Sequence, residues 1–118
     1  MQIHKWNTEL SICDELYFVE LIDKGPSVII RLEDGASRNY EVLLENCGPY
    51  VVADEDLLTR YWCIKDVAIG WTFTVSHSPL ALFFSDVLEA DSLTHYVVST
   101  MDTCIEVLSE YVPEVRIV

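Results

Sequence analysis

Three histidines and four cysteines are the residues best suited to chemistry: His4, His77 and His95, and Cys13, Cys47, Cys63 and Cys104. A nucleophile needs an adjacent base, and the base needs a third group to orient it. Cys63 with His77, or Cys104 with His95, would supply the first two parts. No local pattern marks the third, or an oxyanion site. His77 and His95 could also meet as an acid/base or metal pair. The competing reading puts His77 at a strand end and has His95 hydrogen-bonded within a sheet. The cysteine gaps are 34, 16 and 41 residues, with no C-x-x-C and no paired Cys/His spacing. That spacing gives no structural zinc site and reads as buried thiols. The phosphate-loop, dinucleotide, nucleophile-elbow and zinc-protease motifs are all absent from the sequence.

Carboxylates offer a second chemistry. Asp54-Glu55-Asp56, Asp86, Glu89 and Asp91 could give oxygen ligands to a hard cation. No glycine follows Asp54 at the turn position of a calcium loop, so a solvated acidic face is expected instead. A paired-carboxylate glycosidase needs a cleft that nothing in the sequence marks. These readings predict no catalytic residues, no cofactor and no metal, hence a protein that is not an enzyme.

The charge balance is more informative. The 118 residues carry 20 acidic and 7 basic side chains, for a formal net charge of −13. Nucleic-acid binders neutralise phosphates with clustered Lys and Arg. Here Lys5, Lys24, Arg31, Arg38, Arg60, Lys65 and Arg116 are scattered. Nucleic acid and anionic membrane surfaces are therefore excluded as expected partners. A basic protein would be attracted. Aromatic residues are favoured anchors at interface centres, and Trp62 lies among acids. Asp54, Glu55, Asp56, Trp62 and Asp66 are therefore the expected partner-binding patch.

These groups must be positioned by one domain spanning residues 1–118. Strands are expected at Leu16–Ile22, Ser27–Glu33, Arg38–Glu45, Tyr50–Ala53 and Gly70–Ser76. A further strand is expected at Trp62–Asp66. Asp54 to Tyr61 reads as an acidic helical turn. Ser78-Pro79 has the form of a helix start. Leu80, Phe83, Phe84, Val87 and Leu88 then share one face to about Glu89. Leu93–Ser99 reads as a strand. Thr100 or Asp102 caps a second expected helix, with Met101, Cys104, Ile105 and Leu108 on one face. Val115–Val118 closes the order as a strand after Pro113. The predicted fold is α+β: a twisted, mainly antiparallel sheet with two amphipathic helices on one face or end. An open sheet and a half-barrel both stay open. No stretch is apolar enough to span a membrane. Met1-Gln2-Ile3-His4-Lys5-Trp6 lacks the apolar region of a secretory signal. The expected location is the cytoplasm.

One longer pattern resembles a known group. Leu93-Thr94-His95-Tyr96-Val97-Val98-Ser99-Thr100-Met101-Asp102 runs into Thr103-Cys104-Ile105-Glu106-Val107-Leu108-Ser109. Pro113-Glu114-Val115 follows, and Tyr50 to Glu55 and Gly70-Trp71-Thr72-Phe73 fit the same pattern. It looks like the closing pattern of small uncharacterised bacterial proteins. These are similar to the immunity proteins encoded beside polymorphic toxins, including contact-dependent growth-inhibition systems. The likeness covers about the last 75 residues and leaves the first 40 undiagnostic. It implies a protein that binds and blocks a cognate toxin domain. It implies no catalytic residues and carries over no interface residue. The alternative expectation is a small acidic binding or assembly module that pairs a sheet edge with a second copy.

Overall fold

The computed structural model describes residues 2–54, 70–86 and 92–118. Among the described residues the chain builds nine strands: β1 Gln2–Lys5, β2 Leu16–Asp23, β3 Ser27–Asp34, β4 Asn39–Glu45, β5 Tyr50–Asp54, β6 Thr72–Ser76, β7 Thr94–Ser99, β8 Thr103–Ser109 and β9 Glu114–Ile117. A 3-10 turn covers Glu9–Ile12, and the helix α1 covers Pro79–Phe84. Every described strand pairing is antiparallel. The larger sheet has the order β1-β6-β7-β8-β5, and the smaller one β2-β3-β4-β9.

The two sheets close on one apolar layer. Val28, Ile30 and Leu32 alternate inward along β3, and Tyr40, Val42 and Leu44 along β4. From the larger sheet, Tyr96, Val98, Ile105 and Val107 meet them, with Leu10 and Leu16 filling one end. Period-two alternation is what a sheet with one wet face requires. The wet face of the smaller sheet carries an ion ladder across its strands. Arg31 sits between Glu20 at 2.8 Å and Glu41 at 3.2 Å, and Arg116 approaches Glu41 at 3.9 Å. Polar bonds tie the layers together: the Trp71 indole N–H donates to the Cys13 carbonyl at 2.8 Å, and the Met101 N–H to the Leu16 carbonyl at 2.8 Å.

The architecture corrects the α+β expectation. It is two packed antiparallel sheets with one short helix among the described residues, and neither an open sheet nor a half-barrel bearing two amphipathic helices. The second expected helix is strand β8. Met101, Cys104, Ile105 and Leu108 have helical spacing, but residues 104–109 are all buried. A run buried on both sides has no amphipathic period, so spacing cannot separate helix from strand. Thr103, Ile105 and Val107 are β-branched and favour the pleated state. Thr100 and Asp102 belong to the hairpin turn between β7 and β8. The Thr103 N–H donates to the Thr100 hydroxyl at 2.9 Å, and the Thr100 N–H to the Thr103 carbonyl at 2.8 Å.

The first expected helix does start at Ser78-Pro79, and the Ser78 hydroxyl accepts the Ala81 N–H at 3.0 Å. It does not fully bury the predicted apolar face: of its described members, Phe83 is 77% exposed, and Leu80 and Phe84 are half-buried. Its expected continuation to Glu89 passes beyond Asp86 out of the described residues, as do the strand predicted at Trp62–Asp66 and the acidic turn after Asp54. Strand β1 was not legible; it is recruited by β6, with Ile3 opposite Val75. Among the described residues no helix is long and apolar enough to cross a membrane.

The strand assignment of β8 makes Ile105 a residue of the inter-sheet core, 1% exposed. Ile105→Ala is expected to lower the free energy of unfolding by about 2–5 kcal/mol, because a cavity adds to the lost burial. Urea denaturation followed by tryptophan fluorescence measures it. A loss below about 1 kcal/mol would contradict the buried position.

Candidate functional site

Two regions combine groups that could act on a ligand, and they lie at opposite ends of strands β6 and β7. One is an acidic end, built by the β3–β4 turn, the β7–β8 turn, the start of β2 and the end of β5. Asp34 organises the β3–β4 turn. Its Oδ1 accepts the N–H groups of Ala36 and Arg38, each at 2.9 Å, and its Oδ2 accepts the Tyr40 hydroxyl at 3.1 Å. These bonds, led by that from Arg38, hold the Asp34 carboxyl below the usual carboxylate range. Burial pushes the Tyr40 hydroxyl up to about 12, with Cys13 and Asp34 adding to the rise. The Glu15 carboxylate lies on the same turn, so that a Cβ on Gly35 would stand 2.7 Å from its Oε2. The Tyr17 hydroxyl donates to Glu15 at 2.8 Å. That bond and the charges of Glu15 and Asp102 raise the Tyr17 pKa.

Asp54 joins this end. It is exposed at the end of β5, in register with Thr103 and so beside the turn that carries Asp102. Asp14, Glu15, Asp34, Asp54 and Asp102 therefore lie toward the same end of the two sheets, from four separate stretches of chain. Among the described residues Arg38 is the one basic side chain on the cavity of about 530 Å³ between Glu15 and Asp34. Two large apolar side chains stand out of the acidic surroundings: Ile12, 82% exposed, and Met101, 44% exposed.

Of the five residues expected to form the partner patch, the structure places Asp54. Glu55, Asp56, Trp62 and Asp66 lie outside the described residues. Sequence reasoning missed Asp14, Glu15, Asp34 and Asp102, which are dispersed along the chain. Their common signal is position next to strand ends, and Asp34 also caps free backbone N–H groups of its turn.

The other region is a buried polar chain. On the face of the larger sheet turned away from the inter-sheet core, His95 and Glu106 lie diagonally across β7 and β8. The His95 Nε2 is 2.9 Å from Glu106 Oε1, and both side chains are at most 4% exposed. The His95 Nδ1 is 2.6 Å from the Ser78 hydroxyl oxygen. Ser78 accepts the Ala81 N–H, which leaves its own proton to go to Nδ1. The Nε2–H then donates to the carboxylate, and this assignment satisfies all three groups. Phe73, Val75, Val97 and Cys104 form the apolar surroundings on this face.

His77 and His95 do share one cavity, of about 600 Å³, beside Ser78. No hydrogen bond joins the two imidazoles among the described residues. Of the cysteine–histidine pairs considered, His95 is bonded to Ser78 and Glu106, and Cys63 lies outside the described residues. Cys104 is buried, while Cys13 and Cys47 are half-buried. Among the described residues no three His, Cys, Asp or Glu side chains are grouped to hold a metal ion.

Asp34 predicts an acid sensitivity. Its carboxyl is held below the ordinary range in the fold, so its contribution is complete above the unfolded pKa of about 3.9. That contribution is lost as pH falls through the folded value. Asp34→Asn is expected to be less stable than the parent at neutral pH, with the gap closing on acidification. Thermal unfolding at a series of pH values measures the gap; a pH-independent gap would contradict the linkage.

No family model, curated protein or solved structure matches the chain.

Proposed function

We propose that this chain is an immunity or inhibitor protein that binds and neutralises a basic bacterial toxin domain. It works by occupying the toxin, with no chemistry on it, and does so in the cytoplasm. The observation that carries this reading is the acidic end, where Asp14, Glu15 and Asp34 line a cavity with exposed Ile12, and exposed Met101 adjoins Asp102. Charge of one sign steers a basic partner and speeds encounter, while a few apolar anchors set how long it stays. The net charge of −13 extends that field well beyond the contact. The segment that resembles immunity proteins, Leu93–Ser109, forms β7, its turn and β8, and that turn carries both Met101 and Asp102. Glu55, Asp56, Trp62 and Asp66 follow Asp54 in the chain and are part of the proposed patch.

The test starts with affinity capture of the tagged chain from its own cell lysate at low and high salt. Mass spectrometry identifies what is bound. The expected result is one stoichiometric partner with a basic domain, retained less well at high salt. With that domain in hand, Glu15→Lys, Asp54→Lys and Asp102→Lys combined should slow association about tenfold or more at low salt and flatten its salt dependence. Met101→Ala should chiefly speed dissociation. An unchanged association rate would remove this end from the interface. Recovery of the bait alone, with a mass that rises with concentration, would favour the self-pairing module instead.

A further inference from the structure

The buried chain Glu106–His95–Ser78 does what a nucleophilic serine requires. A carboxylate fixes one imidazole nitrogen, and the other nitrogen is left as a base at 2.6 Å from a hydroxyl. The base is Nδ1 and the oriented nitrogen is Nε2, an arrangement chemically equivalent to the reverse one. Its serine end opens on the cavity of about 600 Å³, whose wall includes Val75, His77, Ala81, Leu82 and Leu93. That volume suits a small molecule, and the wall is largely apolar. Ser78 stands at a corner between strand β6 and helix α1. The residue before it, His77, has φ +52°, a left-handed conformation that costs a non-glycine residue energy. Such strain gathers where a side chain must be held at a functional position.

We propose that Ser78 is an activated nucleophile and that the cavity takes a small uncharged acyl ester. The net charge of −13 disfavours anionic substrates. Ser78 Oγ forms a bond to the acyl carbon while its proton passes to His95 Nδ1. The carbon–alkoxy bond breaks, and the leaving oxygen takes that proton and departs as an alcohol. Water then gives a proton to Nδ1 and attacks the acyl carbon. Ser78 leaves, recovers the proton, and releases a carboxylic acid. Ester and water become acid and alcohol with no other reactant. Glu106 touches no substrate and is a positioning residue. His77, the exposed imidazole of the same wall, donates to the acyl carbonyl oxygen. This activity does not rest on the binding role, because the cavity lies at the other end of β7 from Asp102.

The test uses the full chain with an alkyl fluorophosphonate at neutral pH, followed by peptide mass mapping. The expected result is a single adduct on Ser78, together with slow hydrolysis of p-nitrophenyl acetate that Ser78→Ala abolishes. Glu106→Gln should slow labelling roughly a hundredfold, the scale of lost base catalysis. His77→Ala lies at the exposed rim and provides a second variant that does not touch the buried pair; it should reduce ester turnover. The parent chain needs no variant to fail: no adduct on Ser78, or adducts spread over several serines, overturns the proposal. Labelling of Ser78 at an undiminished rate in folded Glu106→Gln overturns it as well.

Discussion

Strands β7 and β8 have no solvent face. From His95 to Ser99 and from Cys104 to Ser109 every residue is buried. One side of this ribbon meets the smaller sheet, and the other carries Val97 and Cys104, which cluster with Phe73 and Val75 of β6. A polar group placed here must be bonded, because an unpaired buried group costs about 1–3 kcal/mol. That constraint makes a connected chain of Ser78, His95 and Glu106 and pins the start of α1 to the sheet. Ser99 obeys it as well, through its hydroxyl bond to the Trp71 carbonyl at 3.0 Å.

The same constraint decides what was legible in the sequence. Strands β3 and β4 could be read because their sheet has one wet face: Arg31 and Glu33 alternate with Ile30 and Leu32, and Glu41 with Tyr40 and Val42. Strand β6 could be read for its alternation of threonines with Phe73 and Val75. Strand β8 could not, since burial on both sides erases the alternation and leaves spacing that equally fits a helix. Strand β1 is too short to have a period and is defined by its partner, more than sixty residues away. Local chemistry fared better than periodicity in α1: Ser78 and Pro79 mark its start, but the apolar spacing after them did not predict burial.

The candidate sites divide in a similar way. Asp54 could be found because acids adjoin it in sequence. The rest of the acidic end depends on turns that only the fold brings together. The Ser78–His95–Glu106 chain spans 29 residues and leaves no contiguous motif. One trace of it was present: Glu106 interrupts the otherwise uncharged run Thr103 to Ser109, and a carboxylate inside a buried strand implies a partner. With the strand assignment in hand, the side-chain parity of β7 would have pointed to His95.

The order of the strands carries a consequence for how the chain assembles. Hairpins β2–β3–β4 and β7–β8 join neighbours in sequence, and their turns can close early. Each sheet is then completed by a strand from far along the chain. Gln2 pairs with Ser76 in one, and Tyr40 with Ile117 in the other. Closing such spans costs entropy before any contact repays it, which makes topologies of this kind slow to fold. Until β9 arrives, the backbone of β4 is an open edge beside Val42 and Tyr40. An open apolar edge is a template for another chain. The carboxylates of Glu41 and Glu45, which flank that edge, set like charges against one another whenever two such intermediates meet.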